Sequence, residues 1–331
     1  MKNRFFILII VTIFLIFTGC SKSYENDAVV RVGYVGNLME LPLFTAYENG
    51  YFEKEGLKVE LVKISDEEVE DKIKNGSIDA FTCDYKFLKW DENNINIKVS
   101  IGITSGAIEI IASKDSDIQK IGDIKNKKIG IANQGDGTMI AVMNLLNRNN
   151  ISDESIKWIY LNGKSPTEAI ENGDIEGAVV WDTNKEYNDN KINVIYRTKL
   201  VDNKDSVCND HSSHSNDYFY INFAGVRGEI ANKYPEKTAG ILRAWSEGAT
   251  VVEEKREESL SKAVEKGYIK NLSDEEKAKM NYFMWMPSVK SAKENLKEYI
   301  HIQKSTGIIN SELHEDDFLN SIFADVLPFW D

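Results

Sequence analysis

From Val29 to about Ile195 the chain alternates short β-branched runs with stretches of helical periodicity. The runs VVRVGYVG, LKVELVKI, IDAFTC, NIKVSIGI, IEIIASK, KKIGIA, IKWIYL, GAVVW and INVIY predict strands, because branched side chains pack well on a pleated surface. Between them, apolar residues recurring three and four apart predict helices at Leu43–Tyr51, Glu67–Lys74, Met139–Asn149 and Thr167–Glu171. Strands and helices in alternation give an α/β class with mixed sheets flanked by helices. Beyond Arg227 the pattern is helical almost throughout. The stretch Ser246–Lys304, rich in Glu and Lys, is expected to pack as an amphipathic layer, with Trp245, Trp285 and Trp330 in the core.

Two segments share one grammar: DKIKNGSIDAFTCD (Asp71–Asp84) and EAIENGDIEGAVVWD (Glu168–Asp182). Each is a helix ending at Asn-Gly, which permits a left-handed cap, then an Ile-acidic pair and a buried strand closing on Asp. Any two βα units share part of this grammar, so the likeness alone does not separate an architectural repeat from coincidence. If it is architectural, Asp84 and Asp182 end equivalent strands and face each other across a cleft, since ligands gather at those strand ends. The candidate crossings between lobes are Ile108–Ser113 and Tyr218–Ala224. They divide the chain into a discontinuous first lobe, 29–110 plus 219–331, and a second lobe, 111–218.

The 331 residues carry a formal charge of −13, which excludes nucleic acid as a partner because phosphate recognition needs clustered Lys and Arg. At the N-terminus Lys2 and Arg4 precede an apolar run, Phe5–Phe17, broken by Thr12 and followed by Thr18, Gly19 and Cys20. This resembles a bacterial lipoprotein signal peptide, with Phe17 where Leu is usual. The resemblance implies removal of residues 1–19, a lipid on Cys20 anchoring the protein outside the cytoplasm, and a polar tether over 20–28. The run is shorter than the ~20 residues that a bilayer span needs. Cys83 and Cys208 remain, too few and too far apart for a disulfide framework, and no bridge is expected.

Val30–Val62 resembles the opening of the nitrate/sulfonate/taurine and thiamine-precursor group of type 2 periplasmic binding proteins, above all at AYENGYFEKEGL (Ala46–Leu57). The similarity continues at KNGSIDA (Lys74–Ala80), at IGDIKNKKIGIANQGDGTM (Ile121–Met139) and at the second Asn-Gly-x-Ile repeat. It implies two hinged lobes, a small-molecule site between them, and delivery to an ABC permease with its ATPase subunit. A pyrimidine synthase similar to this group carries clustered cysteines roughly where DYFYINFAG (Asp217–Gly225) stands here without any. No Gly-x-Ser-x-Gly, nucleotide loop or His-Glu-x-x-His is present, so a monomeric binder and not an enzyme is expected.

Several residues are candidates for ligand contact. Asn37 and Met39 follow the first strand, where Gly36 and Asn37 permit close backbone approach. Ser105 and Gly106 precede the first crossing. Gly135, Asp136, Gly137 and Thr138 open a helix whose amides suit an anion, although Asp136 would repel one and serves equally as a cap. Asp84, Asp136 and Asp182 favour a cationic or hydrogen-bond-donating nitrogenous ligand such as a pyrimidine, with sulfonate and nitrate as the anionic options. Tyr85, Trp181 and Tyr218 offer stacking faces, or else core packing. No cofactor is expected, except that Cys208, His211 and His214 are ligand types of a soft divalent metal; the alternative they raise is a metal-linked uptake or sensing lipoprotein.

Overall fold

A computed structural model describes residues 29–106, 108–134, 137–181, 191–197, 219–274, 277, 280 and 283–327. In chain order the elements are β1 (Val30–Tyr34), α1 (Leu41–Glu48), α2 (Tyr51–Lys54), β2 (Val59–Lys63), α3 (Val69–Lys74), β3 (Ala80–Cys83), α4 (Phe87–Glu92), β4 (Ile97–Gly106) and β5 (Ile108–Ser113). There follow β6 (Lys128–Ile131), α5 (Gly137–Arg148), β7 (Lys157–Tyr160), α6 (Pro166–Glu171), β8 (Gly177–Trp181), β9 (Ile192–Arg197) and β10 (Phe219–Arg227). The last are α7 (Gly228–Lys233), α8 (Pro235–Glu254), α9 (Arg256–Glu265), β11 (Phe283–Met284), α10 (Val289–Ser305) and α11 (Glu315–Ile322).

The strands form two sheets, in the orders β11-β4-β10-β3-β1-β2 and β7-β6-β8-β5-β9. Within the first, β1 pairs in parallel with β2 and β3, and β10 runs antiparallel between β3 and β4. Gly106 ends a strand of the first sheet and Ile108 begins one of the second: Ile108, Glu109 and Ile110 pair with β8, although the sequence reading placed them in the first lobe. The chain returns to the first sheet with β10, having left the second sheet at β9. One apolar cluster runs across the junction, from Phe81, Phe87 and Phe223 of the first half to Ile129, Met139 and Val142 of the second.

Local sequence explains most departures from the expected elements. The helix expected at Leu43–Tyr51 is two helices, because Gly50 takes a left-handed φ of 71° between them. A short strand, β11, interrupts the helical tail and pairs with β4. Trp245 and Trp285 are fully buried, as expected of core residues; Trp330 lies outside the described residues.

The two similar segments are an architectural repeat. Gly76 and Gly173 both take left-handed φ, at 73° and 76°, just beyond α3 and α6. The acids that follow do the same work in the two sheets. Asp79 Oδ2 accepts the Arg31 backbone N–H at 3.0 Å, and Glu176 Oε2 accepts that of Lys128 at 3.0 Å. Their own backbone N–H groups donate to Arg31 O and Lys128 O at 2.7 and 2.9 Å. Each carboxylate thus ties a strand start to its parallel neighbour.

Asp91 marks a pH-sensitive point in the first half. Its Oδ1 accepts the Ile97 N–H at 2.9 Å. Burial raises its pKa from 3.8 to about 6, against the opposing pull of that hydrogen bond and of Lys98. A carboxyl whose folded value lies above its unfolded one favours protonation in the native state. Its stabilising contribution is therefore full below about pH 4 and is lost as pH rises through about 6. Asp91→Asn keeps an acceptor for Ile97 and removes the buried charge. It should raise the thermal midpoint at pH 8, with the gain vanishing towards pH 4; parallel melting curves for both proteins across that range would refute the assignment.

Candidate functional site

The carboxyl ends of β1 and β3 open into a cavity of about 190 Å³. Its polar lining is Asn37, Glu40, Asp66, Thr82, Asp84, Lys86 and Asn222, with Tyr34, Phe81 and Trp90 among the apolar walls. This is where ligands bind in open α/β sheets, because strand ends leave backbone and short loops facing one crevice.

Glu40 organises the first loop. It is 3% exposed. Its carboxylate accepts N–H bonds from Val35, Gly36 and Asn37 at 2.9, 2.7 and 3.0 Å. Burial raises its pKa despite these bonds, with Asp66 adding to the rise. The amides that loop would offer an anion are already used. Gly36 has φ 99°, and a Cβ there would meet Tyr268 O at 2.6 Å, so the close approach it permits is to the chain's own backbone. Asn37 lines the cavity while its Oδ1 accepts the Met39 N–H at 2.9 Å.

At the end of β3, Asp84 Oδ1 accepts the Lys86 N–H at 2.9 Å and its other oxygen lies 3.4 Å from the Lys86 ammonium. Thr82 Oγ1 is buried with no hydrogen-bond partner among the described residues. Cys83 donates to Phe223 O at 3.5 Å, and burial pushes its thiol pKa well up, so it is no thiolate nucleophile.

Among the described residues the first half alone lines this cavity; the second half meets that half at Tyr85, next to Asp84, through Trp181, the last residue of β8, and Gly137, the first of α5. A Cβ on Gly137 would lie 2.7 Å from the Trp181 ring and 3.0 Å from that of Tyr85. One on Gly106 would lie 3.0 Å from Trp181. Tyr85, Gly106, Gly137 and Trp181 therefore form one junction between the halves. Ser105 is buried away from it and donates to Met284 O at 3.4 Å, within the first sheet. Thr138 is buried in α5. Gly135, Asp136, Asp182 and Tyr218, with Cys20 and the candidate metal set Cys208, His211 and His214, lie outside the described residues. Among the described residues no group of three or more His, Cys, Asp or Glu is placed to hold a metal ion. No helix there is long and apolar enough to cross a membrane.

Sequence reasoning missed Glu40, Asp66, Thr82, Lys86 and Asn222. Two of them carried a signal: Asn37 and Glu40 have the spacing of a capping box, and Asn222 is the lone amide within the apolar run of β10.

The family model described as NMT1/THI5 like matches residues 37–259. The chain belongs to that family. No curated protein sequence matches it. Among solved structures, a putative periplasmic sulfonate-binding protein of an ABC transporter from Methylobacillus flagellatus KT superposes with a TM-score of 0.68 at 16% identity, over 92% of this chain and 95% of the other. The periplasmic aliphatic sulphonate binding protein from Escherichia coli gives 0.63 at 14% identity, over 87% and 96%. A periplasmic nitrate-binding protein from Synechocystis PCC 6803 gives 0.58 at 12% identity, over 91% and 88%. At such identities the likeness is one of fold, and that fold is the two-sheet binding-protein architecture expected from the sequence. These neighbours are named as binding proteins.

Proposed function

We propose that this chain is the solute-binding component of an ABC importer, anchored outside the cytoplasm by a lipid on Cys20. It captures a small nitrogenous molecule by closure of two lobes about the crossings near residue 107 and before β10, and delivers it as a monomer to a permease. The observation that carries the ligand class is the charge of the cavity: among the described residues Glu40, Asp66 and Asp84 line it against one cation, Lys86, which already faces Asp84 at 3.4 Å. A ligand that donates hydrogen bonds or carries positive charge suits that lining, whereas a sulfonate or nitrate would meet carboxylates. Trp90, Tyr34 and Phe81 supply flat walls for a ring.

Native mass spectrometry of the freshly purified protein should find a neutral or cationic small molecule retained. Its re-addition to stripped protein should lower the radius of gyration and, at a hundredfold excess over Kd, add about 2.7 kcal/mol of stability. Stabilisation by sulfonates or nitrate with none by amines would overturn the ligand class. Unchanged scattering at saturation would overturn closure.

A further inference from the structure

The two halves meet a second time away from the cavity, where α5 packs on α10. Helix α10 belongs to the first half, since Asn295 Oδ1 accepts the Tyr220 N–H at 2.8 Å and Tyr299 donates to Tyr220 O at 2.8 Å. Helix α5 belongs to the second, packing on β5 and β8. Across the seam Arg148 lies 3.7 Å from Glu298 and stacks on Phe219, 5.5 Å from the ring centroid.

The seam is poorly satisfied in this arrangement. Asn144, on α5, is 2% exposed, and neither its Oδ1 nor its Nδ2 has a hydrogen-bond partner among the described residues. It lines a cavity of about 270 Å³ together with Lys297, Glu298 and His301 of α10. Glu298 Oε2 is buried there without a partner as well. Buried polar atoms left without partners penalise the state that buries them, and separation of the helices would return these atoms to water.

We infer that Asn144 and Glu298 set the ligand affinity of the distant cavity, by penalising closure so that the protein without ligand favours the open form. Apparent affinity falls by the fraction of molecules able to close, so relieving the penalty raises affinity with no change at the cavity. The inference rests on the closure proposed above.

The test is hydrogen exchange of the full chain with no ligand present, comparing wild type with Asn144→Leu and Asn144→Met, two apolar shapes that remove the orphaned amide. Exposed Gln119, an amide of the same half that does not line that cavity, supplies the control Gln119→Leu. Either Asn144 variant should slow exchange in α5 and α10 by about tenfold, the population shift expected from one relieved buried polar group, with β6 and the control unchanged. Unaltered or faster seam exchange in both variants, or slowing spread evenly over the molecule, would overturn the inference. Because no ligand enters the measurement, that result would leave the capture reading standing, whereas scattering that never responds to the retained molecule would end the capture reading itself.

Discussion

Asp79→Ala should destabilise the protein by about 3–5 kcal/mol, a large part of the ~5–15 kcal/mol that typically holds a domain folded. Asp79 is 6% exposed at its side chain and receives four hydrogen-bonding groups. The Arg31 N–H and Nε donate to Oδ2 at 3.0 and 3.1 Å, and the Arg31 and Arg227 terminal nitrogens each reach Oδ1 at 3.0 Å. One carboxylate thereby joins β1, β3 and β10. Truncation leaves Arg227, 18% exposed, beside a hole, with the exposed Glu229 carboxylate at 2.6 Å as a remaining counter-charge. Burial alone would raise the Asp79 pKa, but the bonds from the Arg31 backbone, the Arg31 side chain and Arg227 outweigh it and hold the carboxyl below its usual 3.8. With the folded value below the unfolded one, the contribution is present above about pH 4 and is lost as pH falls through the folded value. Urea unfolding of Asp79→Ala at pH 7 checks the magnitude, and a loss under 1 kcal/mol would show that the pairing contributes little. Glu176→Ala is the internal comparison: its side chain is 40% exposed and pairs with Lys127, so the expected loss is about 1 kcal/mol or less.

That pair of acids also shows why the fold was legible. A helix stop, an Asn-Gly, an acid and a buried strand are all local features, so the two copies raised the question of a repeat, which only the matching contacts in the two sheets decide. The crossing between Gly106 and Ile108 was less legible, since the polar Ser100, Thr104, Ser105 and Glu109 of β4 and β5 are as buried as their apolar neighbours, and nothing in the pattern marks where pairing partners change. The site was legible only in part. Asp84, Tyr85, Trp181 and Gly137 stand at element ends, where the pattern pointed. Ser105 stands at such an end too, but its hydroxyl is turned to the carbonyl of Met284, on a strand that reaches β4 from 179 residues further along the chain. Glu40 escaped notice because a carboxylate after a turn reads as a solvated helix start; only the fold shows it clamped by three amides.

Gly137→Val should weaken ligand capture by about tenfold to a hundredfold, equivalent to ~1.4–2.7 kcal/mol, over and above a loss of global stability. The reason lies in which half owns each neighbour. A Cβ at residue 137 would press on Trp181, in its own half, at 2.7 and 3.0 Å, and on Tyr85, in the other, at 3.0 Å. Overpacking against Trp181 strains its own half whether the halves are together or apart, but the strain against Tyr85 is relieved when they part, so that share falls on the closed state. Gly102→Ala is the contrasting case. Its Cβ would lie 2.3 Å from the Tyr220 ring, on the adjacent strand of the same sheet, where no hinge motion separates them. It should lower the thermal midpoint and leave affinity per folded molecule intact. Calorimetric titration with the molecule the wild type retains, alongside thermal melts, separates the two effects. Gly137→Val binding as tightly as wild type would mean that Tyr85 and Trp181 do not approach each other in the liganded protein, and the junction would lose its role in closure.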